Sequence, residues 1–434
     1  MPRRIDAAEN RRLHLDISDE DARRIEEVGQ RLASTRSWWG AKASDDDAED
    51  SSGTSSVITC RRSSGGGWDV TFSNVVGVLA IGELQFDIKP KIGWPHFLHL
   101  AGWSSALPRL DAGKVDVAAG ESLRDLVVRW FLARAEALFR ADLLCDYSEV
   151  QDRLQVVKGR VDPSRLAIDF YRGRFLVDCE FEEFNVDTPH NRVIRHATQI
   201  ILRDPSVDSN QRRRARALAT RLDGIGPMRS SDLRVTTDRR SGFYADALLL
   251  ARSLIQSSYR SPLAGDSSAW SFLLPGPALV EEGLRELLAH SLAPDFRVEK
   301  KGVAIADGLR LNADLVFTTA RGTRIAVGDV KYKLLGSGWA RPDLYQAVTF
   351  AEGYEVAGVA VVGFSRRGVE APTLSIGSKT VVSLNWPLPP SDDDEDILSA
   401  EEASVTLVAH VRDWLSQCSE LLVGLDRRRA FISV

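Results

Sequence analysis

Cysteine is scarce in this sequence: four in 434 residues, at Cys60, Cys145, Cys179 and Cys418, with no CxxC or CxH grouping. That excludes a disulfide framework and a zinc ribbon, and it fits a reducing cytosol. Long apolar runs are missing too. No stretch approaches the ~18 apolar residues of a membrane span, and the basic start MPRRIDAAENRRLHLDISDED lacks the apolar core of a signal peptide. The expectation is a cytoplasmic protein with no membrane partner. Positive charge is not in excess: 56 Lys+Arg against 61 Asp+Glu leave a net −5. There is no GxxxxGK(S/T) phosphate loop and no GxSxG elbow. Nucleotide hydrolysis by a P-loop and serine-hydrolase chemistry are therefore not expected of this chain.

What is present is an ordinary globular balance, 44% hydrophobic and 27% charged, in a length that suits two or three domains. The net charge hides local imbalance. Acidic residues concentrate at Asp45–Asp50 and Asp392–Asp396, and basic ones at Arg212, Arg213, Arg214, Arg216 and Arg221. A basic face can attract phosphates whatever the total charge, although a solvated helix face explains it equally well.

The pattern divides into three. Residues 1–110 read as a β-rich region: after a helix-compatible start and the polar linker KASDDDAEDSSGTSS, short alternating runs broken by glycine follow from Val57. Residues 111–262 read as mainly helical, with ESLRDLVVRWFLARAEALFR carrying one buried stripe. Residues 263–434 read as helix, strands, helix, strand and a final helix, an α/β domain around a mixed sheet. The class as a whole is α+β.

The chemistry concentrates in LNADLVFTTARGTRIAVGDVKYK. Asp314 opens one expected strand, a turn follows at Arg321-Gly322, and Asp329 and Lys331 lie in the next strand. Alternate residues of a strand share a face, so Asp329 and Lys331 project together, and hairpin pairing brings Asp314 towards Asp329. Two carboxylates and an ammonium at one spot suit phosphodiester hydrolysis. The carboxylates hold Mg²⁺, and the lysine stabilises charge developing on the phosphate. The plainer alternative is an exposed Asp–Lys pair on a hairpin.

This stretch resembles the PD-(D/E)xK nuclease motif, as Ala313-Asp314 followed by Asp329-Val330-Lys331. The resemblance implies a restriction-endonuclease-like C-terminal domain and a helical glutamate completing the metal site, with Glu281 at the matching place and Glu282 as second choice. It also implies a QxxxY element, here Gln346 with Phe350 in place of tyrosine. Beyond the hairpin, ELQFDIKPKIG, VVKGRVD, EFEEFNVDTPHNRVIRHA and GDVKYK, in that order, resemble the McrC family over roughly Val70 to Phe364. The resemblance implies a Mg²⁺-dependent DNA endonuclease subunit of a modification-dependent restriction system, acting on modified DNA. Its partner would be an McrB-like AAA+ GTPase hexamer, docked and stimulated by the N-terminal region. Lys89-Pro90-Lys91 and the segment Asn185 to Arg192 are then structural or docking elements.

Two other readings stand beside it. One is a catalytically silent adaptor that regulates a motor ring; the other is a nucleic-acid binder using the arginine-rich helix. His96 and His99 lack supporting ligands and fit aromatic packing near Trp94 and Phe97. Trp339, just past the catalytic strand, could stack on a base or pack on its own domain.

Overall fold

The computed structural model describes residues 3–34, 57–104, 123–161, 163, 171–173, 176–205, 207–259, 272–306, 309–389 and 399–432. Both acidic tracts, and the expected linker around the first, lie outside them.

The N-terminal segment holds β1 (Arg3–Ala8), β2 (Arg12–Leu15), α1 (Asp19–Ser34), β3 (Ile58–Arg62), β4 (Trp68–Phe72), β5 (Val75–Ile81), β6 (Leu84–Lys89) and α2 (Trp94–Trp103). β5 and β6 form a hairpin with Ile81 opposite Leu84. Its two-residue turn needs a positive φ, which Gly82 adopts at 58°. β1 was not foreseen. It joins as a parallel neighbour of β6, and burial of Ile5 and Ala7 shows the alternation that placed it there. β2, β4 and β3 make a second, antiparallel sheet.

The middle segment holds α3 (Leu123–Arg140), β7 (Asp146–Leu154), β8 (Arg160–Val161), β9 (Val177–Asn185), α4 (Pro189–Arg203), α5 (Ser209–Arg221) and α6 (Ala245–Tyr259). It is less helical than its periodicity suggests. β7 and β9 pair antiparallel from Asp146↔Asn185 to Leu154↔Val177, with β8 on the far side of β9. Both long strands are rich in charge, β7 mostly exposed and β9 only partly buried, so they carry no clean alternation. Cross-strand pairs such as Arg153 on Asp178, at 2.8 Å, stabilise the ladder in its place.

The Asp187–Arg192 segment builds this region's interior. Thr188 caps α4 by accepting from the Asn191 N–H at 3.3 Å, with Pro189 in its first turn. The Asn191 amide donates to the carbonyls of Leu144 and Val186 and accepts from the Tyr244 hydroxyl. Arg192 forms a buried two-toothed pair with Asp232 at 2.9 and 3.1 Å. The arginines of α5 are partly consumed in the same way. Arg214 grips Glu136 on α3, and Arg212 donates to the carbonyls of Asp204, Pro205 and Val207.

The C-terminal segment holds β10 (Phe272–Pro275), α7 (Gly276–Leu292), β11 (Phe296–Glu299), β12 (Val303–Ala306), β13 (Leu309–Leu311), β14 (Leu315–Thr319), β15 (Arg324–Leu334), α8 (Arg341–Gly353), β16 (Gly358–Arg366), β17 (Leu374–Ile376), β18 (Lys379–Leu388) and α9 (Ala400–Ile432). A six-stranded mixed sheet runs β11-β14-β15-β16-β18-β17. β15, β16 and β18 are parallel neighbours, and eight of nine residues of β16 are buried, as expected for a strand covered on both faces. α8 covers one face through Ala347, Phe350 and Ala351, packed with Val316, Val327, Val359 and Val381. α9 meets the other, where Trp414 stands edge-on to Phe317. No helix among the described residues is long and apolar enough to cross a membrane.

The three consecutive regions expected at 1–110, 111–262 and 263–434 are not three compact bodies. Residues 2–120 and 273–434 form one unit and residues 121–272 the other. α2 was not foreseen as a helix, and it packs on α7. Its Leu100 carbonyl lies so close to α7 that a Cβ at Gly283 would overlap it. β10 completes the sheet β1-β6-β5-β10 and leads directly into α7. His96 Nδ1 accepts from the Trp386 indole at 3.0 Å, and His99 packs on the same ring. Both histidines therefore belong to the core, as aromatic packing implied, although their partner is a tryptophan of β18.

Glu9, just past β1, is 2% exposed, and neither carboxylate oxygen receives a hydrogen bond of good geometry. Burial pushes its pKa up from 4.5 to about 7, more than neighbouring Lys91 and Tyr332 pull it down. The folded state then binds more protons than the unfolded one between those two values, so stability falls as pH rises through that window. Glu9→Gln should remove this fall and raise stability above pH 7 by up to about 3 kcal/mol, with little change near pH 4. Thermal melts of both proteins across pH check this; parallel curves would refute it.

Candidate active site

β14 and β15 are the hairpin read from the sequence, antiparallel with Leu315 opposite Gly328. The turn between them places Gly322 at φ 85°, with its N–H on the Thr319 carbonyl. Asp314 lies one residue ahead of β14 rather than inside it, and Asp329 lies within β15. Backbone geometry joins them: Asp314 Oδ2 accepts from the Val330 N–H at 2.9 Å. The buried Tyr354 hydroxyl accepts from the Ala313 N–H and links to the carbonyls of Lys301 and Leu311, which fixes the chain on which Asp314 is mounted.

Asp329 is 3% exposed, and Lys331 Nζ lies 2.7 Å from its Oδ2. The contact is a close ion pair, although it does not have the geometry of a well-formed hydrogen bond. Burial raises the Asp329 pKa to about 6 and the Asp314 charge adds to the rise, while Lys331 opposes both. Lys331 also donates to Gln346 Oε1 of α8 at 2.7 Å. The structure therefore brings together Asp314, Asp329, Lys331 and Gln346.

Among the described residues no group of three His, Cys, Asp or Glu side chains converges as a metal-holding set. Glu281 and Glu282 remain half-buried on α7, with the Glu282 pKa raised by burial. Phe350 has no hydroxyl to offer and packs in the α8 core instead. Trp339 donates to the Pro372 carbonyl at 2.7 Å and packs on that core, so its own domain holds it.

Three residues escaped the sequence reading. Lys300 reaches Asp314 Oδ1 at 3.2 Å, and Lys333 reaches the two oxygens of Asp343 at 2.8 and 2.7 Å. The strand period contained the signal for Lys333, which is two residues beyond Lys331 and shares its face. Nothing in the sequence linked Lys300 to Asp314, because the segment between them holds a separate small hairpin, β12–β13. A cavity of about 470 Å³ on the β7–β9 sheet is lined by Glu149, Lys158, Arg160, Glu180 and Glu182, and not by Asp314, Asp329, Lys331 or Gln346.

Comparison with known proteins gives the family and the fold. A family model described as "McrBC 5-methylcytosine restriction system component" matches residues 70–361. No curated protein matches the chain. One solved structure, a refined half-complex from a tetradecameric assembly of Thermococcus gammatolerans McrB AAA+ hexamers with bound McrC, contains a similar chain. It has 14% identity and a TM-score of 0.72 over 95% of this chain and 100% of that one. A second, the cryo-EM structure of the Thermococcus gammatolerans McrBC complex, matches with 16% identity and a TM-score of 0.51, over 67% of this chain and 88% of that one. With a family model spanning more than half its length, the chain belongs to the McrBC restriction-system family.

Proposed function

We propose that this chain is the DNA endonuclease subunit of a modification-dependent restriction system, with a PD-(D/E)xK-type, Mg²⁺-dependent site in its C-terminal α/β region. The observation that carries the reading is the meeting of Asp314, Asp329 and Lys331 at the β14–β15 hairpin, with Gln346 holding the lysine. The donor set suits the ion: two carboxylates, one with a buried oxygen that makes no well-formed hydrogen bond, offer the hard oxygen ligands that Mg²⁺ prefers. Asp314 and Asp329 would hold it. Glu281, half-buried on α7, would be the third ligand that the motif implies. Bound there, Mg²⁺ supplies Lewis-acid polarisation of a phosphate and easier ionisation of a water. The chain's own contribution is placement. Lys331 presents a positive charge where the phosphate becomes more negative, and Gln346 fixes the direction of that ammonium.

Partnership with an AAA+ GTPase ring follows from the family and from the assembly of the Thermococcus gammatolerans relative, which is described as McrB AAA+ hexamers with bound McrC. This chain has no P-loop sequence, so GTP hydrolysis belongs to that partner. The test is reconstitution. The chain, the McrB-like GTPase of its own system, Mg²⁺ and GTP together should cut 5-methylcytosine DNA and leave unmethylated DNA whole. Omitting any one component should stop cutting, and the chain alone should turn over no GTP. Intact DNA in the complete mixture would favour the silent adaptor, and GTP turnover by the chain alone would contradict the division of labour.

A further inference from the structure

Asp329, Lys331 and Lys333 alternate along β15 and so share the face that α8 covers. Each lysine is met by one residue of that helix. Gln346 holds Lys331 and Asp343 holds Lys333, and the two helix residues, three apart, lie on one side of α8. Asp343 is 7% exposed in the first turn of α8, where a carboxylate is favoured by the helix dipole. Its charge is felt at Asp329, so the second pair shares the field of the first. The Lys333 side chain is itself 45% exposed. An ammonium has three donors, and both recorded contacts of Lys333 go to one carboxylate, which leaves donor capacity towards solvent.

A buried acid gripping a half-exposed lysine is more than a strut between strand and helix needs. The carboxylate restricts a side chain that is otherwise rich in rotamers, so the ammonium is presented in one place. β15 leaves regular register between Val330 and Leu334, so the two ammonium groups are placed by their α8 partners, Gln346 and Asp343, whose positions three apart on a helix put their Cβ atoms about 5–6 Å apart. That is comparable with the separation of successive phosphates on one nucleic-acid strand.

We infer that Lys333, held by Asp343, is a phosphate-binding residue of the cleavage site, taking the DNA backbone phosphate next to the one facing Lys331. Asp343 is its positioning residue. The inference rests on the nuclease reading above, and it extends the site from one phosphate to two.

The test measures DNA binding with no divalent cation, so it needs neither metal nor cleavage. Full-length wild type, Lys333→Ala, Lys333→Gln and Lys333→Arg are titrated with a short duplex in EDTA at several salt concentrations. Each phosphate neutralised contributes about 0.9 to the slope of log affinity against log salt. Lys333→Ala and Lys333→Gln should each lose about that much slope and bind more weakly on every sequence, whereas Lys333→Arg should keep the wild-type slope. Circular dichroism confirms folding, and the glutamine variant covers any misfolding by the alanine one. Wild-type slope in both neutral variants, or no binding by the wild-type chain, overturns the inference. Failure of the nuclease reading looks different: Asp329→Ala would still cut DNA whatever the salt slopes show.

Discussion

Asp329→Ala should eliminate DNA cleavage while leaving the fold as stable as before, or more so. The expected loss exceeds the ~10–100-fold typical of removing an outer-shell partner, because Asp329 would be a direct ligand. Stability goes the other way for an electrostatic reason. Burial and the neighbouring Asp314 raise the Asp329 pKa to about 6, so its ionised form at neutral pH is held against a desolvation penalty. Alanine removes that penalty, and Lys331 keeps its bond to Gln346. Loss of function with unchanged or raised melting temperature is the signature of a group retained for chemistry rather than for the fold. Lys331→Ala should behave similarly in activity, with a loss of about 10²–10³-fold, the scale for removing one donor aimed at developing charge. Cleavage assays with the reconstituted partner and thermal melts of both variants check these outcomes. Cutting by Asp329→Ala at the wild-type rate would show that the hairpin is only structural.

The hairpin was legible because everything that fixes it is local. Alternation sets the faces of β15, Arg321-Gly322 marks the turn, and Asp314 and Asp329 fall opposite one another in register. The helix that brings Gln346 to Lys331 follows within a few residues, as a crossover between parallel strands requires. Lys300 was not legible. It reaches Asp314 across a small hairpin whose path depends on Tyr354, a residue some forty positions further on. β18 was missed for a related reason. Its KTVVSLNWPL is strand-like, but its place beside β16 and its burial of Trp386 against His96 are set by contacts far apart in sequence. The same limit hid the largest feature of the architecture. Residues 1–110 and 263–434 were read as separate regions, and nothing local in either says that α2 and α7 share a core.

That shared core leads to the second large effect: deleting residues 1–110 should unfold the unit that carries the β14–β15 hairpin rather than leave it trimmed and intact. The deletion removes β1, β5 and β6, so β10 loses the sheet β1-β6-β5-β10 just where it enters α7. It also removes Phe97, Leu98 and Leu100, each fully buried. At ~1.5–3 kcal/mol for each large apolar side chain, these three alone account for roughly 5–9 kcal/mol, before cavity costs. A typical domain has only about 5–15 kcal/mol of net stability. The damage reaches the chemistry, because Tyr332, three residues beyond Asp329, loses Lys91, whose ammonium sits 4.6 Å from its ring. Trp386 loses the histidine that accepts its indole N–H and is left with a buried, unpaired donor. The middle unit makes the control. Residues 121–272 form a compact body with their own buried helices, so that fragment should give a cooperative thermal transition alone. A fragment starting at residue 111 should keep that transition and lose the other, with β15 open to proteolysis. Two intact transitions in the truncated protein, with Asp329 still protected from proteolysis, would show that the C-terminal sheet carries a sufficient core of its own.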